Sequence, residues 1–186
     1  PLRIHQPRAS NTSSVTTVAS MLNGAQAFDR PLSFDTASVT DRSFVLRGTP
    51  FNQQLPFDTA SVTTMQDVFY GAASFNQPLA LDTGRVATVV SMFFGATDFN
   101  QPGNVEGRGV AYIHDMLRDA LVFNQPPAFY DTGSVTEMND IYRGALRFHQ
   151  HRASKTDSVL TAASMLNSAQ PSRPPLPFAL ATVNQQ

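Results

Sequence analysis

The triplet Phe-Asn-Gln stands at Phe51, Phe75, Phe99 and Phe123, each 24 residues after the one before. Looser versions carry the series both ways, at Ile4-His5-Gln6, Phe28-Asp29-Arg30 and Phe148-His149-Gln150. The interval is 23 before Phe51 and 25 before Phe148. No other feature restricts the fold as much. A unit this short cannot bury its apolar residues alone, so such a chain folds by stacking like units on one another.

With the first residue of each triplet as position 1, position 12 is Val throughout: Val15, Val39, Val62, Val86, Val110, Val135 and Val159 (one insertion near Phe129-Tyr130 shifts the sixth unit). Position 15 is usually apolar, as in Val18, Met65, Val89, Ile113 and Met138. Positions 18 and 19 form an apolar pair, as in Met21-Leu22, Val68-Phe69, Met92-Phe93, Met116-Leu117 and Ile141-Tyr142. Gly-Ala follows, as in Gly71-Ala72, Gly95-Ala96 and Gly144-Ala145. Near the end, Pro175 to Val183 matches Pro31 to Val39 at Pro, Leu, Phe, Ala and Val. Residues 1–186 thus read as one domain, with units starting near 4, 28, 51, 75, 99, 123 and 148. Residues 172–186 read as a partial eighth unit that caps the C-terminal end.

Apolar positions 15, 18, 19 and 22, followed by the next Phe, have the spacing of one helix face. That predicts about two helical turns per unit, for example Met65 to Ala73, ended by Gly71. The preceding Asp-Thr-x-Ser-Val-Thr is β-branched, with Val facing in and Ser and Thr facing out, which predicts a short strand. Each unit of roughly 24 residues is expected to hold one short parallel strand and one short helix, giving a right-handed α/β solenoid of the leucine-rich-repeat type. The recurrent Phe is expected in the core, and Asn52, Asn76, Asn100 and Asn124 are expected to form an amide ladder that satisfies the backbone of each turn. The 13 prolines and 10 glycines speak against long helices.

Formal net charge is −1 and charged residues make up 15%, so no electrostatic footprint for nucleic acid or an anionic membrane is present. No apolar run reaches the length that spans a bilayer, and no membrane insertion is expected. With no cysteine there are no disulfides or thiolate metal sites. The chain begins at Pro1 instead of Met, as expected of a processed product or a fragment.

The order Phe-Asn-Gln-Pro-Leu, Asp-Thr-x-Ser-Val-Thr, Met-Phe-x-Gly-Ala resembles the BspA-like leucine-rich repeats, a class of unknown function first noted in mycoplasma surface proteins. Members carry Trp before the Asp-Thr, where this chain has Phe34, Phe57, Leu81 or Phe129-Tyr130. The resemblance implies a non-enzymatic interaction protein at the cell surface or outside the cell, with a peripheral subunit of an organellar complex as the alternative.

Several constellations invite chemistry. Asp35, Asp58, Asp82 and Asp131 recur before each strand and could line up for calcium, although an Asx turn accounts for them without a metal. His149 and His151 offer two imidazoles with no third ligand nearby, beside His5 and His114 elsewhere. No nucleophile–base pair, phosphate loop or carboxylate pair appears, so neither catalysis nor a cofactor is expected.

Position 20 should face away from the core, and it places Tyr70 and Phe94 on adjacent units between Arg47 and Arg118. Exposed aromatic residues beside arginine mark protein interfaces, so these four are candidate contacts for a protein partner. The fifth unit departs most from the repeat and adds Glu106, Arg108, Tyr112 and His114 as candidates. The chain is accordingly expected to be a structural or adhesive module, or an accessory subunit docked on a larger assembly. An alternative is ice or glycan binding through an outward hydroxyl array of Ser38, Thr40, Ser61, Thr63, Ser134 and Thr136.

Overall fold

In the computed structural model, residues 12–33, 35–102, 109–126 and 133–148 are described. Successive units lie side by side in parallel, joined at position 14 by the bridges Thr17–Asp41, Asp41–Thr64, Thr64–Thr88, Thr88–Tyr112 and Tyr112–Glu137. The seventh unit after Phe148 and the eighth unit, with the proposed cap at 172–186, lie outside the described residues, as does the start of the first.

The expected α/β solenoid with a strand and a helix per unit is overturned. Among the described residues none is in an α-helix, and parallel pairing is confined to isolated bridges. The third unit shows why. The N–H groups of Met65, Asp67, Phe69 and Gly71 donate forward to the carbonyls of Thr88, Val90, Met92 and Phe94, at 2.6–3.1 Å. Between them, Tyr70, Ala72 and Phe75 donate three residues back, to Asp67, Phe69 and Ala72, at 3.0–3.1 Å. A helix would need each N–H to reach the carbonyl four residues back in its own unit. Here alternate donors belong to the neighbouring unit, so tight turns replace the helix.

The backbone dihedrals agree. Positions 17 and 21 are both left-handed, as in Asp67 (φ 56°) with Gly71 (φ 65°) and Ser91 (φ 51°) with Gly95 (φ 66°). A left-handed residue four positions from the next interrupts any right-handed helix. Position 21 therefore favours glycine, although the fifth unit places Asp119 there at φ 58°.

The apolar positions still face inward. Val39, Val62, Val86, Val110 and Val135 are buried, as are Met65, Val89, Ile113 and Met138 at position 15. The recurring Phe residues form a spine through the core. Centroids of Phe28, Phe51, Phe75, Phe99, Phe123 and Phe148 follow one another at 6.0–6.3 Å, with neighbouring planes within 18° of parallel. Position 19 adds rings against this spine, with Phe69 at 3.9 Å from Phe75 and Phe93 at 4.0 Å from Phe99.

The residue after each Phe builds the expected amide ladder. Asn76, Asn100 and Asn124 each donate a backbone N–H to the side-chain oxygen of Asn52, Asn76 and Asn100, at 2.9 Å in every step. The following Gln amides join the same oxygens: Gln77 to Asn52 at 3.1 Å, Gln101 to Asn76 at 3.1 Å and Gln125 to Asn100 at 3.2 Å. Asp29 takes the acceptor role below Asn52 and Gln53, at 2.8 and 2.9 Å. Phe-Asn-Gln is thus a structural triplet, with the ring for the core and the two amides for the ladder.

Candidate functional site

Asp35, Asp58 and Asp82 each accept a backbone N–H two residues on, from Ala37, Ala60 and Gly84, at 2.9–3.0 Å. That is the Asx turn, and it explains the recurrent Asp without a cation; Asp131 lies outside the described residues. The adjoining Thr is buried at Thr36, Thr59 and Thr83. The hydroxyls of Thr36 and Thr59 accept the N–H of the next unit's Asp, at 3.2 and 2.7 Å. Among the described residues no group of three or more His, Asp or Glu could hold a metal ion. His5, His149 and His151 lie outside those residues.

The hydroxyl array is largely occupied by the fold. The side chains of Thr40 and Thr63 donate to the carbonyls of Thr16 and Thr40 at 3.1 Å, and Thr136 donates to Ala111 at 3.2 Å. Ser38 donates to Ser13 at 2.6 Å. Ser61 is half-buried, and Ser134 is exposed but engaged in an interaction of its own. A hydroxyl whose proton is held by a backbone carbonyl offers a ligand only its acceptor lone pairs.

The position-20 column is arranged differently. The Tyr70 and Phe94 rings stack at 4.5 Å with planes 8° apart. The Arg47 guanidinium lies 4.1 Å from the Tyr70 centroid, and that of Arg118 lies 5.1 Å from Phe94. The four residues proposed from sequence therefore meet in one continuous stack: cation, ring, ring, cation. All four are partly exposed, and they stand on the turn that the left-handed residues at positions 17 and 21 define.

Carboxylates that the sequence reading did not single out hold both ends. Arg47 Nη1 donates to Asp67 Oδ2 at 2.5 Å across the unit boundary, where the Asp67 side chain is only 8% exposed. Burial raises the Asp67 carboxyl above its usual range, with Arg47 acting against that rise. Arg118 Nη1 donates to Asp115 Oδ1 at 3.0 Å, and the Asp115 bond is the main cause that raises the Arg118 guanidinium. The Asp115–Arg118 pair, and Arg143 with Asp140 at 3.5 Å, have an i,i+3 signature visible in the sequence. The Arg47–Asp67 pair spans 20 residues and is visible only in three dimensions.

The second candidate patch joins the first through Asp115. His114 Nδ1 lies 3.4 Å from Asp115 Oδ2, and its Nε2 lies 3.9 Å from Glu137. Tyr112 is exposed on the same unit, while Glu106 and Arg108 lie outside the described residues.

Arg42 is a further polar residue that sequence reasoning missed. It occupies position 15 in the shortened unit and is wholly buried. Its Nη2 donates to the Asp58 carbonyl and, at 3.4 Å, to that of Thr36, and its guanidinium lies 4.2 Å from the Phe57 centroid. Nε and Nη1 have no hydrogen-bond partner. Burial pushes the guanidinium down to about 10, opposed by Asp58, so it stays charged at neutral pH.

A stack of turn-built repeats with one outward aromatic column defines a repeat-array protein whose variable side chains stand on an invariant frame. The model of the family described as "Mycoplasma protein of unknown function, DUF285" matches residues 5–104 and 80–176, and the chain belongs to that family. Neither the curated proteins nor the solved structures contain a match. Among the described residues no helix is long and apolar enough to cross a membrane.

Proposed function

We propose that this chain is a non-enzymatic interaction module that meets a protein partner through the strip Arg47, Tyr70, Phe94 and Arg118, continued by His114 and Tyr112. The observation that carries this reading is the stack of two partly exposed rings between two arginines, outside the core and held at both ends by carboxylates. Tyr and Arg are the residue types that dominate interface energetics. Side chains already fixed by stacking and ion pairs lose little freedom on binding, which favours affinity. The resemblance to BspA-like surface repeats supports a place at the cell surface, or as an accessory subunit that a larger assembly holds.

Immobilised protein exposed to extract of its source cells tests the reading. The expected result is a retained protein that is lost with Tyr70→Ser/Phe94→Ser and kept with Thr40→Lys/Thr63→Lys. Retention by the first variant together with loss by the second would move the contact to the hydroxyl column and sink the proposal.

A further inference from the structure

The seams between units run in one direction, and that leaves the first unit with an open edge. Across each of the five described junctions, the N–H groups at positions 15, 17, 19 and 21 donate forward at 2.6–3.2 Å. They reach the carbonyls at positions 14, 16, 18 and 20 of the following unit. One bond returns, from the position-13 N–H to the position-13 carbonyl before it, as from Thr40 to Thr16 at 2.8 Å. In the first unit the carbonyls of Thr17, Ala19, Met21 and Asn23 hold the accepting positions. Among the described residues none of the four receives a hydrogen bond, and the Thr16 N–H has no acceptor.

Side chains mark the same end. Position 18 is at most 1% exposed at Val45, Val68, Met92, Met116 and Ile141, whereas Met21 is 47% exposed. Position 12 is wholly buried in the next five units but only half-buried at Val15, and position 19 repeats the contrast at Leu22. The bare face is therefore the array's own seam surface, apolar side chains and carbonyl row together. Five internal junctions show what chemistry covers such a face.

An unpaired backbone edge is a template for another chain. The direction of the bonds decides which one. Two first units face to face would set four carbonyls against four, so a twofold dimer through this end lacks donors for its seam. A forward-facing row of N–H groups from a repeat of the same kind fits it at every position. By the polarity of the seams, whichever unit stands last in a stack presents that row. We infer that the first unit is the docking surface for a second copy of this chain, which stacks head to tail over Met21 and Leu22. A head-to-tail contact leaves one free end of each kind, so the assembly lengthens by whole chains. The surface lies at the end of the array and not on the Tyr70–Phe94 column, so it stands or falls separately from the contact strip proposed above.

Sedimentation velocity on the full chain at about 1 to about 100 μM tests this. The average sedimentation coefficient should rise steadily with concentration, with species larger than a dimer. Met21→Lys carries a charge into the seam and should weaken association at least about tenfold. The thermal melt of the dilute variant should be unchanged, because Met21 is already half exposed. Leu121→Lys, at a residue 39% exposed on an interior unit, should associate as the native chain does. Since the chain has no cysteine, Met21→Cys reads the direction of stacking. On oxidation it should form disulfide-linked dimers no faster than Leu121→Cys, because two first units do not meet. A native chain that stays monomeric throughout, association that survives Met21→Lys, or rapid disulfide pairing of Met21→Cys would each overturn the inference. Should Met21→Lys melt early, the native chain's concentration dependence and the Met21→Cys rate still decide.

Discussion

The side-chain oxygen of Asn76 accepts two hydrogen bonds from the next unit, the backbone N–H of Asn100 at 2.9 Å and the Gln101 amide at 3.1 Å. One acceptor thus fixes the register of two units. Asn76→Leu strands the Asn100 N–H, while the Gln101 amide keeps the Asn76 carbonyl at 3.0 Å, and should cost about 1–3 kcal/mol, read as a lower urea midpoint at unchanged slope. Asn76→Asp keeps the acceptor and should cost less, since Asp29 already serves this role.

Asp29 gives the ladder a pH dependence. Its carboxyl lies below the usual range because the Asn52 backbone N–H and then the Gln53 amide donate to it. A depressed folded pKa contributes stability that is complete above the unfolded value near 4 and is lost as pH falls through the folded value. Asp29→Asn should flatten that acidic limb in urea titrations between about pH 2 and 5.

The sign of a glycine substitution separates turns from helix. At an exposed helical position Gly→Ala stabilises by up to about 1 kcal/mol. At φ 66° Gly95→Ala should instead destabilise by about 1–2 kcal/mol. Conversely, Asp119→Gly relieves a left-handed Asp and should raise the melting temperature. A stabilised Gly95→Ala would contradict the turn-built unit.

Arg42 occupies a site where other units place Val18, Met65, Val89, Ile113 or Met138. With two guanidinium nitrogens lacking partners, Arg42→Met should be neutral or stabilising by about 1–2 kcal/mol, measured by chemical denaturation. Arg42→Ala, which leaves a cavity, should be less stable than Arg42→Met.

The aromatic spine should show a gradient. Phe75→Ala removes a buried ring lying 6.3 Å from Phe51 and 6.0 Å from Phe99, and should cost about 3–5 kcal/mol. Phe28→Ala, at a half-buried position, should cost clearly less in the same assay.

The period, the buried Val column, the Phe spine and the Asn ladder were all legible, because identical residues at fixed offsets can only stack on their own copies. The unit's backbone was not. Positions 15, 18, 19 and 22 face inward in a run of turns as they would in a helix, so Met65, Val68, Phe69 and Ala72 are buried either way. The distinguishing signal lay at position 17, where Ser20, Phe44, Asp67, Ser91, Asp115 and Asp140 are all left-handed. Those residue types do not announce that conformation as a glycine would. At the site, Tyr70, Phe94 and their arginines could be found because they vary against an invariant frame. Asp67 could not, since its partner is in another unit.

Among the described residues, the forward hydrogen bonds make each interior copy both a donor to one neighbour and an acceptor from the other, with the same four carbonyl positions used each time. Such a seam has no preferred length. Inserting or deleting one whole copy leaves every seam chemically unchanged, whereas a partial copy breaks the alternation of donors. Gene-level expansion in whole registers would then lengthen the outward column one side chain at a time, offering a route to new partners without remaking the frame.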